Sequence, residues 1–186
     1  GVGFSGDTAV TITLVAPVTL SGKVLDALGN GLPGQRIRLT LANNSNNFTD
    51  RTSDANGNYS FQTAPGSYSL YMDGLNLGNV PAPRYHYRYS SANLFLTQNT
   101  VMDIAVPAKR IDVHVQDAAG NPVGNVVITT DQPNTSNLTF GTLPASGSSY
   151  YHPIQNPPAT DSSGNTVLWL FATSSRTAFA RSPSGS

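Results

Sequence analysis

The side chains able to act as bases, nucleophiles or metal ligands are few: three histidines (His86, His114, His152), ten aspartates and two lysines (Lys23, Lys109). Cysteine and glutamate are both absent, which removes thiol chemistry and thiolate metal sites. Each histidine stands alone, with no HExxH pattern and no second histidine at metal-binding spacing. His114 falls beside Asp112 on the outward side of an alternating segment, the composition of a solvated strand face. No serine lies in a Gly-x-Ser-x-Gly elbow, so a Ser-His-Asp site has no local support. The run "DANGN", Asp54 to Asn58, spaces oxygen atoms as calcium favours, but offers one carboxylate where a calcium loop gathers several. A hairpin turn accounts for it, and equally for Asp161 to Asn165. These residues predict neither a catalytic group nor a metal or cofactor site, and the chain reads as non-enzymatic.

Tyrosine offers a different chemistry, that of recognition. In "RYHYRYS", Tyr85, Tyr87 and Tyr89 share one face of a strand, with Arg84, His86 and Arg88 on the other. Such a ladder can stack on sugar rings or fill a protein interface, and it can equally cover one end of a sandwich core. Tyr150 and Tyr151, followed by His152, form a second candidate patch in a long loop. Trp169, within "TVLWLFA", reads as core.

Charged residues make up 11% of the 186-residue chain, the formal net charge is zero and the hydrophobic share is 38%. There is no basic footprint for nucleic acid or an anionic membrane, and enough apolar content to fold. No apolar run approaches the ~20 residues of a membrane span, and no basic segment leads an apolar core as in a secretory signal. The chain therefore reads as mature or as a fragment. Sequons at Asn43, Asn47, Asn58, Asn134 and Asn137 permit glycosylation outside the cytoplasm and favour an extracellular address.

The elements that would position these residues come from a repeat. "LSGKVLDALGNGLPGQRIRL" aligns without a gap on "IDVHVQDAAGNPVGNVVITT", placing Asp26, Gly29 and Asn30 on Asp117, Gly120 and Asn121, an offset of 91. Each copy is an alternating strand, an Asp-x-x-Gly-Asn turn and a second alternating strand. Leu20, Gly22 and Val24, then Ile37, Leu39 and Leu41, face inward in the first copy, and Ile111, Val113 and Val115 in the second. "TSDANGNYSFQ" then matches "ATDSSGNTVLWL" at an offset of 107, Gly57 to Gly164, so the second copy holds an insert of roughly 16 residues. No segment has helical periodicity, and short strands punctuated by Gly, Pro and Asn predict an all-β sandwich.

These motifs, with "PGSYSLYM" and the run from Phe95 through Thr100 to Ile104–Pro107, resemble the carboxypeptidase regulatory-like family. The resemblance implies small transthyretin-like or Cna-B-like sandwiches serving as accessory, spacer, adhesive or stalk modules of secreted or surface proteins. It covers the first copy throughout and the front of the second. Some members of the family carry a lysine–asparagine isopeptide bond assisted by an acid, commonly Glu; here that would leave Lys23 with an aspartate.

The closing strand is displaced. Residues 1–17, "GVGFSGDTAVTITLVAP", carry the motif that closes the first copy: Phe4, Thr8, Ile12 and Pro17 align with Phe95, Thr100, Ile104 and Pro107. Nothing after the second copy supplies such a strand. Val10, Ile12 and Leu14 form an apolar stripe that is costly in water, about 1.5–3 kcal/mol per large side chain. The chain is thus expected to be a window of a longer tandem array, or to donate its N-terminal strand to a neighbouring copy, or to fold that strand back on itself. The last is disfavoured because residue 17 leads straight into the first copy.

The expectation is an all-β chain of two tandem Ig-like or transthyretin-like antiparallel sandwiches, 18–107 and 108–186, the second lacking its closing strand. Residues 1–17 complete another sandwich, with Phe4, Val10, Ile12 and Leu14 as donor side chains. The predicted role is a cell-surface or extracellular structural protein assembled head-to-tail with copies of itself or adjacent repeats. The alternatives are a glycan-binding accessory module that meets surface glycans, or a non-catalytic domain of a larger secreted hydrolase. No nucleic-acid or membrane partner and no cofactor is expected.

Overall fold

The computed structural model describes residues 14–74, 86–130, 138–143, 150–152, 159–171 and 177–181, and these are all strand, turn or loop, with no helix. Phe4, Val10, Ile12, Tyr85, Asn134 and Asn137 lie outside the described residues.

The first copy is a sandwich of two sheets. In β1 (Val18–Leu25), Val18, Leu20 and Val24 point to the core, and in β4 (Asn58–Thr63), Tyr59 and Phe61 do so. The two pair antiparallel, Leu20 opposite Phe61 and Gly22 opposite Tyr59, as alternation and cross-strand packing require. The other edge of β1 is closed by parallel strands, β7 (Thr100–Val101) and β8 (Ile104–Ala105). The facing sheet has β2 (Arg36–Leu41) between β3 (Phe48–Thr52) and β5 (Gly66–Asp73), then β6 (His86–Leu96), all antiparallel. Ile37, Leu39, Leu70 and Met72 supply its core face.

In the second copy β9 (Ala108–His114) pairs antiparallel with β12 (Asn165–Phe171), as β1 pairs with β4. Likewise β10 (Val127–Thr130) pairs with β13 (Ala178–Arg181), as β2 pairs with β5. The remaining strand, β11 (Tyr150–His152), belongs by sequence to the insert of the second copy. It joins the first copy's sheet, beyond β6, with Tyr151 opposite Tyr87.

Four Asp-x-x-Gly-Asn turns stand between these strands, not as the expected hairpins but as turns that carry the chain from sheet to sheet, from β1 to β2 after Asp26 and from β3 to β4 after Asp54. Asp26, Asp54, Asp117 and Asp161 each use Oδ1 to accept the backbone N–H groups two and four residues on, at 2.8–2.9 Å. This is the Asx-turn chemistry that makes Asp the first residue of the motif. The glycine must take a left-handed φ, +81° at Gly57 and +75° at Gly164, where an added Cβ would lie 2.5 Å from the Val24 carbonyl oxygen and 2.4 Å from that of Val115.

A second repeated device holds each turn down. Ser53 Oγ donates to the Leu32 carbonyl and accepts the Gln35 N–H. Thr160 Oγ1 donates to the Val123 carbonyl and accepts the Val126 N–H. Both hydroxyl-bearing residues are buried and fully engaged, as buried polar groups must be.

Two further expectations need correction. The segment from Phe95 to Pro107 is not one closing strand: Phe95 lies in the long strand β6, one residue before its end, and is 70% exposed, and closure falls to β7 and β8 alone. Ile111, expected inward, is 39% exposed, because among the described residues no strand covers the edge of β9 that β7 and β8 cover on β1.

Candidate functional site

The ionisable groups are arranged for structure. Arg36 and Asp73 face one another across the β2–β5 ladder and form an ion pair, to which Tyr71 adds a hydroxyl donor at 3.0 Å. Arg38 binds Asp50 through two nitrogens at 2.7 and 2.8 Å and lies over the Phe48 ring. That fork holds the Asp50 carboxyl below the usual carboxylate range. The Asn58 amide, with backbone N–H donors, does the same for Asp54, as Asn121 does for Asp117. Burial drives the Tyr59, Tyr87 and Tyr89 hydroxyls upward. Each of these carboxyl and phenol shifts moves a group away from neutral pH, the opposite of what acid–base catalysis near pH 7 requires.

His114 Nδ1 donates one hydrogen bond, to Asn165 Oδ1 at 2.8 Å, on the exposed outer side of β9. Asp54 spends its carboxylate on its own turn, with Asn58 Nδ2 at 2.9 Å from Oδ2, so the "DANGN" run is a built turn between the two sheets. Lys23 is exposed, and its backbone N–H donates to Asp103 Oδ1. An isopeptide bond needs a buried lysine beside a protonated acid. Lys23 is instead in water, and the carboxyl it attracts, Asp54, is the one held ionised.

Two residues of the tyrosine ladder, Tyr87 and Tyr89, are core. Tyr87 and Tyr89 are 1% and 4% exposed and pack on Phe140 of the insert, ring centroids 5.8 and 5.1 Å apart. The Tyr87 hydroxyl donates to Gln35 Oε1. These rings are therefore not a surface for sugar stacking. Tyr150 and Tyr151 form the backbone ladder of β11 beside them. Asn43 and Asn47 are exposed around the β2–β3 turn, whereas the Asn58 amide is bound to Asp54. Trp169 is buried, as expected.

What remains is the uncovered edge of β9. In β1, the residues whose backbone faces the closing strands are satisfied one by one. The Thr19 N–H donates to Asn99 Oδ1, the Ser21 carbonyl accepts Met102 N–H, the Lys23 N–H donates to Asp103, and the Leu25 carbonyl accepts Val106 N–H. The offset of 91 carries these positions to Arg110, Asp112, His114 and Gln116. No strand meets them on that edge among the described residues. Leu20 is 0% exposed and its counterpart Ile111 is 39% exposed. A groove of about 420 Å³ runs over β9 and β12, lined by Arg110, Asp112, Val113 and His114 with Asn165 and Val167.

The described end of the candidate donor segment has the complementary defect. Leu14 is 89% exposed, while Val106, its counterpart in the alignment through Ile12 and Ile104, is 0% exposed. Among the described residues the second copy thus shows an open sheet edge, and the N-terminal segment an uncovered apolar side chain. The repeat offset found the edge. Ser53 and Thr160 were missed, though both stand one residue before the aspartate of their motif.

No protein-family model and no curated protein matches this chain. Among solved structures it is similar to the Bacillus anthracis TIE protein, with 15% identity and a TM-score of 0.35, covering 83% of this chain and 26% of that one. It is similar to a streptococcal ancillary pilin at 11% identity and TM-score 0.35, covering 92% of this chain and 60% of that one. A third is the dioxygenase domain of a dioxygenase–carbohydrate-binding fusion from Streptomyces sp. SirexAA-E, at 18% identity and TM-score 0.28, covering 51% of this chain and 66% of that one. The chain spans about a quarter of the length of the first and less than two thirds of the second. Likenesses at this level assign it no activity.

Proposed function

We propose that this chain is a non-enzymatic structural protein of the cell exterior, a module that assembles head-to-tail by completing an unfinished sandwich in its neighbour. The observation that carries the reading is one repeat position in two states: Leu20 sealed under β7 and β8, Ile111 open to water. An open edge with unpaired amides and an exposed apolar side chain is a template for another strand. A head-to-tail contact whose rotation does not close into a ring extends into a filament or stalk. The glycan-binding alternative loses Tyr87 and Tyr89, which are core side chains.

Size exclusion and electron microscopy of the purified chain test the reading. The full chain is expected to form concentration-dependent linear oligomers, and a chain lacking residues 1–13 to stay monomeric. A folded monomer at high concentration, with residues 1–13 cut by protease while the rest resists, overturns it.

A further inference from the structure

The register and form of the completing strand can be read from the first copy, given the assembly proposed above, on which this inference rests. We infer that the free edge of β9 takes residues 8–14 of a second copy as one uninterrupted parallel strand, with Thr8 opposite Ile111 and Ile12 opposite Val115.

The register follows from the repeat. On β1, Leu20 pairs with Thr100 and Val24 with Ile104, the same register on both sides of the break between β7 and β8. Leu20 and Val24 correspond to Ile111 and Val115, and Thr100 and Ile104 correspond to Thr8 and Ile12. Val10, Ile12 and Leu14 then point inward, where Ile111 needs cover, and Ala9, Thr11 and Thr13 point outward.

Continuity follows from two paired differences between the copies. In the first, Gly22 lets the chain at Met102 press against β1: a Cβ on Gly22 would lie 2.0 Å from the Met102 carbonyl oxygen. Tyr59, opposite Gly22, donates its hydroxyl to that same carbonyl at 2.6 Å. This approach interrupts the ladder, and the Asp103 side chain takes over the Lys23 N–H at 2.8 Å. In the second copy the Gly22–Tyr59 pair is replaced by Val113 opposite Thr166. Val113 carries the Cβ that forbids the approach, and Thr166 lacks the hydroxyl reach that anchors it. The donor segment changes in step, with β-branched Thr11 where the first copy has Asp103. Without the kink no side-chain acceptor is needed, because the backbone carbonyls of a straight strand meet the β9 amides directly. Thr8, Val10, Thr11, Ile12 and Thr13 all favour such an extended strand.

Because the chain has no cysteine, disulfide trapping reads this arrangement cleanly. Full-length chains carrying Ala9→Cys or Thr11→Cys are mixed with isotope-labelled chains carrying Asp112→Cys or His114→Cys, and mixed-isotope linkages are counted by mass spectrometry. The inference expects 9–112 and 11–114 linkages between chains, each roughly 10-fold above the offset 9–114 pair, given the narrow Cα separation a disulfide tolerates. A 9–112 linkage without 11–114 overturns the uninterrupted strand. Dominant 9–114 linkage overturns the register. In a chain carrying both Ala9→Cys and Asp112→Cys, linkage only within single chains overturns the second copy as donor. Oligomers that form normally with none of these linkages overturn the inference and leave the assembly reading standing. Absence of oligomers overturns both.

Discussion

The two copies of the repeat share their turns and differ in their closure. Asp26 and Asp117 bind the same backbone groups at 2.8–2.9 Å, and Ser53 and Thr160 pin equivalent carbonyls and amides. Yet β1 has a neighbour on each edge, while β9 has β12 on one edge only among the described residues. Local turn chemistry sets where strands start and which way they face. It does not complete a core, which requires a strand from far along the chain or from another molecule. Among the described residues the same motif therefore stands once beside a covered sheet edge and once beside an open one.

The largest expected effect separates the copies at their equivalent core positions. Leu20→Ala should cost about 2–5 kcal/mol in urea unfolding of the unassembled chain, because it removes a fully buried side chain. Ile111→Ala should cost about 0.5 kcal/mol, as at a surface site. Equal losses would break the contrast, since Ile111 would then be buried in solution. Glycine substitutions in the turns should by contrast make the copies alike. Gly57→Ala and Gly164→Ala each force a side chain into left-handed backbone against a carbonyl, at about 2 kcal/mol or more. A much smaller loss at Gly164 would mean that the second copy's turn is looser than its counterpart.

The buried hydroxyls come next. Ser53→Ala and Thr160→Val each leave a carbonyl and an N–H without their partner, an expected loss of about 1–3 kcal/mol in the same unfolding measurement. A negligible loss at Thr160 alone would show that water reaches the second turn.

The smallest effect is in acid. Asp50, Asp54 and Asp117 have carboxyls depressed below the ordinary range, first by side-chain hydrogen bonds from Arg38, Asn58 and Asn121. Groups of this kind bind protons more readily unfolded than folded. Their stabilisation is complete above the unfolded value of about 3.9 and is lost as pH falls through the depressed folded values. Thermal melts should thus be flat in this respect from pH 7 to about 5 and fall below about 4. Asp54→Asn and Asp117→Asn should each flatten that acid limb, one in each copy. An unchanged limb in both variants would show that other groups govern it.

Much of the fold was legible because its signals are local. Alternation marked Leu20, Val24, Ile37 and Leu39 as core, and all four are buried. The Asp-x-x-Gly-Asn spacing marked the turns, but not that they pass from one sheet to another. What was not legible was long-range. Phe95 and Ile104 look like parts of one closing motif in sequence, but Phe95 lies on β6 and Ile104 on β8, in opposite sheets. Tyr87 and Tyr89 fitted a surface ladder as well as a core face, because alternation does not say which side is covered. The cover is Phe140, some 50 residues away and inside an insert with no repeat counterpart. Ser53 and Thr160 were hidden because a serine and a threonine before a turn aspartate look like ordinary loop polarity.

The junction between the copies has a mechanical meaning. The Ala108 N–H donates to the Val106 carbonyl across Pro107, and the Ala108 carbonyl accepts the N–H of Ala27 at the end of β1. The closing strand β8 runs parallel to β1 and leads through this turn into β9. A pull along a string of such units would draw the start of β1 one way and the end of β8 the other. Tension of that direction loads the hydrogen bonds between the two strands together, in shear, rather than peeling them apart singly. Resistance to force is then set by the rate of rupture, a property separate from the free energy of folding.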